Sequence, residues 1–137
     1  MKYVSRKTGW KFEVYIARRP NGTYPAKEYL ENLEPRVKAK FEALISTMAE
    51  VGSIWNEEKF RFLEEGFFEF KHTRPHHRII GYFTKKAQGR IVLTHGYQKQ
   101  TNKIPRAEIK RAKYIKDEYE KQMKKPQKKE DQDGANG

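Results

Sequence analysis

Three short runs rich in aromatic and β-branched residues follow one another in the middle of this chain. They are Phe67-Phe68-Glu69-Phe70-Lys71-His72, Arg78-Ile79-Ile80-Gly81-Tyr82-Phe83-Thr84 and Arg90-Ile91-Val92-Leu93-Thr94-His95. Thr73-Arg74-Pro75 and Ala87-Gln88-Gly89 stand between them. Turn residues at that spacing predict three consecutive strands paired antiparallel.

The flanking segments narrow the architecture. In Lys11–Arg18, Phe12, Val14 and Ile16 fall on one face, which predicts a fourth, half-buried strand. Arg19-Pro20-Asn21-Gly22 ends it. Pro25 predicts a short helix through Leu33, and Pro35 opens a second. In the second, Val37, Phe41, Leu44, Ile45 and Met48 form an apolar stripe of helical period, with Gly52 as its stop. Residues 57–65 are charged and show no clear period. The last helix is expected to start near Thr101 or Asn102 as cap, with Pro105 in its first turn. There Ile109, Ala112, Ile115, Tyr119 and Met123 share a stripe, while Lys110, Arg111, Lys113 and Lys116 lie largely off it. From Lys124 onward there is no large apolar residue, which predicts a disordered charged tail over 124–137 after one domain at 1–123. The reading is α+β: a small, mainly antiparallel sheet of about four strands, with two helices from the N-terminal half and a C-terminal helix packed on it.

The chain has 137 residues, 36% hydrophobic and 35% charged, so a small core must use its eight Phe, eight Tyr and two Trp well. The absence of cysteine excludes disulfides, cysteine zinc sites and a thiol nucleophile. No apolar run could span a bilayer and no apolar segment follows Met1–Arg6, so a cytoplasmic protein without membrane association is expected. The four histidines do not form a helical metal motif, and the His76-His77 pair lacks an evident set of partners. No metal or cofactor is expected.

Net charge is +12, unevenly spread. Residues 1–96 hold 18 basic and 11 acidic residues, residues 97–129 hold 12 and 4, and the last eight hold none and 3. Partners should therefore be anionic. Lys71, Arg74, His76, His77, Arg78, His95, Tyr97, Lys99 and Lys103 fall on strand ends or adjoining loops, where two hairpins can gather them. Such a surface attracts a single-stranded RNA backbone. Tyr97 offers a stacking platform, and Arg106 and Lys110 extend the basic face along the last helix. The same residue types can cleave RNA without metal. The 2′-hydroxyl is an internal nucleophile; an arginine fork can stabilise the phosphorane-like transition state. A histidine, or a lysine depressed by neighbouring cations, can move the protons. A binding surface without chemistry remains open on these residues alone.

Leu93-Thr94-His95-Gly96-Tyr97-Gln98-Lys99-Gln100-Thr101-Asn102-Lys103-Ile104-Pro105, followed by Ala107-Glu108-Ile109-Lys110-Arg111-Ala112, resembles the strand–loop–helix stretch of HigB-like toxins in the RelE/ParE superfamily, of the phage-derived protein type. Phe68-Glu69-Phe70-Lys71 and Arg78-Ile79-Ile80-Gly81-Tyr82-Phe83 resemble that family's preceding strands. The resemblance spans about residues 10–122. It implies a RelE-like fold and the toxin of a type II toxin–antitoxin system. It further implies an endoribonuclease that cleaves mRNA at the ribosome without metal and so inhibits translation. It implies a cognate antitoxin, expected to be of helix-turn-helix type with an acidic segment that meets the basic toxin. By position, Arg78 takes the place of the strand arginine at the scissile phosphate. Lys71 stands where the family usually has arginine, and Tyr97, Lys99 and Lys103 match the motif after the third strand. His95 is a candidate acid or base, or a structural strand-end histidine. Gln100 and His77 depart from the family pattern. ParE-type members inhibit DNA gyrase instead, which keeps a gyrase inhibitor and a plain nucleic-acid-binding module as alternatives.

Overall fold

The computed structural model describes residues 1–84, 89–99, 103 and 105–124. Six strands are present among them: β1 (Lys2–Val4), β2 (Glu13–Ile16), β3 (Phe60–Phe62), β4 (Phe67–His72), β5 (His77–Phe83) and β6 (Arg90–Gln98). They form one sheet in the order β1-β2-β6-β5-β4-β3. Three helices pack on it: α1 (Pro25–Glu31), α2 (Pro35–Val51) and α3 (Arg106–Lys124). The architecture is mixed α+β with six strands, against the expected four or so.

The two additional strands are the outermost. β1 pairs with β2, and β3 with β4, each over three residues. Three residues present at most two side chains to a face, too few to establish a period. β3 lies in the charged stretch that gave no pattern, and its pairing is decided by the long β4 beside it. The central expectation is met: β4, β5 and β6 pair consecutively and antiparallel. β2 joins the other edge of β6 in parallel, with Val14 opposite Ile91.

Alternation in the strands feeds two cores. Val14, Ile16, Phe68, Phe70, Ile79, Ile91 and Leu93 face α1 and α2, where Leu30, Val37, Phe41, Ile45 and Met48 close over them. On the other face Phe67, Ile80, Tyr82, Val92 and Tyr97 meet Ile109, Ala112, Ile115 and Tyr119 of α3. Fully burying a ring such as Phe41 or Phe68 is worth about 1.5–3 kcal/mol. Met123, expected on the buried stripe of α3, is instead exposed in the helix's last turn. α2 stops as expected: Gly52 takes the left-handed conformation, φ 87°, and donates its N–H to the Met48 carbonyl. The expected α3 cap at Thr101 or Asn102, the Ala87-Gln88 part of the second turn and residues 125–137 of the expected tail lie outside the described residues.

One irregularity positions the site. Ile80 is opposite His95, but the next residue, Gly81, is opposite Leu93. β6 therefore carries one extra residue, Thr94, in a β-bulge. The bulge reverses which face later residues occupy. Val92 faces α3; without the bulge Thr94 and Gly96 would follow it there. With it, His95 and Tyr97 do.

Candidate functional site

Strand register sets Lys71, Arg78 and Tyr97 side by side across three strands. Glu69 lies two residues before Lys71 on the same face of β4, opposite Arg61 of β3. Their chemistry centres on Glu69, which is completely buried. Its Oε1 accepts a 2.8 Å hydrogen bond from the Tyr97 hydroxyl. Its Oε2 accepts one of 3.0 Å from Arg61 Nε and lies 3.6 Å from Arg78 Nε. A lone carboxylate at such depth is costly; two guanidiniums and a phenol make it tenable.

Arg78 is 4% exposed. Its Nη1 donates to the His77 carbonyl at 2.9 Å and to the His72 carbonyl at 3.1 Å. The guanidinium is thus fixed at the floor of the row: Nη1 is held by two backbone carbonyls, while Nε, buried without a hydrogen-bond partner among the described residues, lies in ion-pair range of Glu69. Burial lowers its pKa from the usual arginine value, with Glu69 pulling the other way.

The two lysines of the row are half-buried. Lys71 Nζ donates to the Glu57 carbonyl at 2.7 Å. Burial, then Arg61 and Arg78, hold its ammonium below the usual lysine range, against Glu69 and Glu57. Lys99 follows β6, its N–H bonded to the His76 carbonyl at 2.8 Å, which ties the row to the β4–β5 turn. Burial and Arg61 lower its pKa, Glu69 opposes them, and Arg78 and Lys71 add to the lowering. Each lysine is thus moved toward the neutral base.

Tyr97 is 8% exposed, and its ring packs in the core beneath α3. That is a correction to the stacking platform expected from sequence: the hydroxyl, not the face, reaches the row. Burial and then Glu69 push its pKa up, so it stays a protonated donor. His95 is buried beside it. Its Nε2 lies 2.9 Å from Glu108 of α3 and its Nδ1 3.1 Å from the Thr94 hydroxyl. Burial lowers its pKa, with Glu108 opposing. This histidine pins β6 to α3 and lies below the surface.

The remaining candidates are dispersed. Arg74 and His76 are exposed in the β4–β5 turn. His77 points to the opposite face, where its Nδ1 is hydrogen-bonded to the Tyr29 hydroxyl of α1. Burial, then His72 and Arg78, lower its pKa. Lys103 is exposed ahead of α3. Arg106 pairs with Glu64 at 3.2 Å, and Lys110 is exposed on the next turn of the helix. The structure brings Lys71, Arg78, Tyr97 and Lys99 together and leaves these residues around them.

Sequence reasoning missed Arg61, Glu69 and Glu108. Glu69 carries a readable signal: an acid among Phe67, Phe68 and Phe70 in a strand expected to be buried needs a cation nearby. Arg61 carries none, because β3 was not legible. Among the described residues, no group of three or more histidine or acidic side chains is placed to hold a metal ion. No helix among them is long and apolar enough to cross a membrane.

No curated protein matches the sequence. The family described as Phage derived protein Gp49-like (DUF891) matches residues 28–117, about two-thirds of the chain. The matched span runs from α1 into α3 and includes every residue of the row. The chain belongs to the Gp49-like phage-derived protein family, a toxin-like family of the type II toxin–antitoxin kind.

Proposed function

We propose that this protein is the toxin of a type II toxin–antitoxin pair and a metal-independent endoribonuclease that cuts mRNA at the ribosome, with a RelE-like fold and a cognate antitoxin as its partner. The observation that supports it best is the row itself: two lysines moved toward neutrality beside two fixed guanidiniums, along one face of the four adjoining strands β3 to β6.

In this reading Lys71 and Lys99 meet the scissile phosphodiester at the surface. One of them, unprotonated, takes the proton of the 2′-hydroxyl; the other, protonated, neutralises the phosphorane-like transition state and supplies a proton to the departing 5′-oxygen. Arg78 adds fixed positive charge from beneath. Tyr97 holds Glu69, which keeps Arg61 and Arg78 in place. Attack by the 2′-hydroxyl leaves a 2′,3′-cyclic phosphate and a free 5′-hydroxyl. Lys103, Arg106 and Lys110 extend the positive surface along the RNA or ribosome, and an acidic antitoxin segment covers it.

The test is incubation of purified protein with translating ribosomes in excess chelator, followed by mapping of mRNA 5′ ends. Cleavage with 5′-hydroxyl ends is expected, and loss of cleavage in Lys99→Gln and Lys71→Gln. Intact messages together with accumulating gyrase–DNA breaks in induced cells would sink the nuclease reading.

A further inference from the structure

A groove of about 390 Å³ lies behind the row, between α2 and the end of β4. Lys40, Leu44 and Thr47 of α2 form one wall; Lys59, Lys71 and His72 form the other. Three lysines against one acid, Glu58, leave its lining net cationic, and Thr47 and His72 add hydrogen-bonding groups. Lys71 also belongs to the row, so the groove and the proposed cleavage site share a residue.

Trp55, outside the groove's lining, stands four residues before Lys59 of the second wall and is 90% exposed. An indole so open to water is unusual in a chain whose other tryptophan, Trp10, packs against the core. Trp55 stands two residues before Glu57, whose carbonyl holds the Lys71 ammonium at 2.7 Å. Chain geometry keeps the two Cα atoms within about 7.6 Å of each other. An exposed aromatic face next to a lysine-rimmed groove is the pairing that binds single-stranded nucleic acid, with bases on the ring and phosphates on the ammoniums.

We propose that the groove between α2 and β4, together with Trp55, is an accessory subsite for single-stranded RNA that holds nucleotides flanking the bond at the row. Trp55 stacks a base, and Lys40 and Lys59 neutralise the adjoining phosphates. The groove supplies the base platform that the buried Tyr97 does not. The proposal rests on the reading of the row as an RNA site, but its test does not require cleavage.

The experiment uses a Trp10→Phe variant, in which Trp55 is the sole tryptophan, and an end-labelled, fully 2′-O-methylated oligonucleotide that cannot be cut. Anisotropy reports total binding and tryptophan emission reports the subsite. Saturable quenching is expected to track anisotropy, with roughly fivefold or greater weakening in Trp55→Ala and in the Lys40→Glu, Lys59→Glu double variant. Should Trp10→Phe not fold, the difference in quenching between the wild-type protein and Trp55→Ala gives the same readout. Oligonucleotide bound at saturation with no change in Trp55 emission overturns the subsite, as does emission quenched by poly-glutamate and not by RNA, which assigns the groove to an acidic protein segment. Quenching by the oligonucleotide without any cleavage of natural RNA supports the subsite and counts against the nuclease alone.

Discussion

Glu69 and His95 are the residues on which local chemistry and stability meet. Glu69 offsets Arg61 and Arg78 while buried, so removing it leaves two guanidiniums facing each other without a counter-charge. Glu69→Ala is expected to cost about 3–5 kcal/mol, read as a fall in the urea midpoint. Lys99→Gln, at the half-buried rim, should change stability by less than about 1 kcal/mol, so loss of cleavage there reports chemistry. His95 and His77 both titrate below their unfolded value in the native protein. Just below that value, about 6.5, the unfolded chain binds more protons than the native one, so stability is full above it and declines as pH falls toward the folded pKa. Melting temperature should drop between about pH 7.5 and pH 5.5, and His95→Gln should flatten the decline. An unchanged slope would remove His95 from that account.

The strands and helices show which parts of the fold the sequence carries. α2 and β4–β6 were legible because each has enough residues to repeat a period and a turn or proline at its boundary. β1 and β3 were not, because a three-residue edge strand takes its conformation from its neighbour. The row was legible as a set of residue types but not as a geometry. The bulge at Thr94 decides that His95 and Tyr97 face α3, and no alternation in Leu93-Thr94-His95-Gly96-Tyr97 announces it. Nor could the pattern show that Tyr97 would be covered, since that depends on Ile109 and Ala112 of α3. Packing on the other face gives its own prediction. A Cβ on Gly96 would overlap the Tyr29 ring and come within 2.9 Å of Ile79. Gly96→Ala should therefore push α1 off β6, costing about 1–3 kcal/mol in chemical denaturation. Because Tyr29 is the partner of His77, it should also shift the His77 titration measured by NMR.

Over the whole molecule, the net charge of +12 becomes a distributed surface: the row, the groove beside it and the outer side of α3. Binding of single-stranded RNA should weaken steeply with salt. The four lysines given to phosphates (Lys40, Lys59, Lys71 and Lys99), one of the last two being neutral, predict a log–log slope of about −2 to −3. A slope near zero would contradict a phosphate-led interface. The sheet order carries a different kind of consequence. β6 lies between β2 and β5, so it alone joins the N-terminal pair β1–β2 to the trio β5–β4–β3. Translation extends a chain from its N-terminus at about 5–20 residues per second. When residue 89 has been added, both halves of the sheet exist as sequence and the strand that seams them does not. Tyr97 and Lys99 arrive with that seam. A nascent chain therefore has neither a completed sheet nor an assembled row until Lys99 has been added, and under the proposed function the ribosome that makes this protein would meet its activity last.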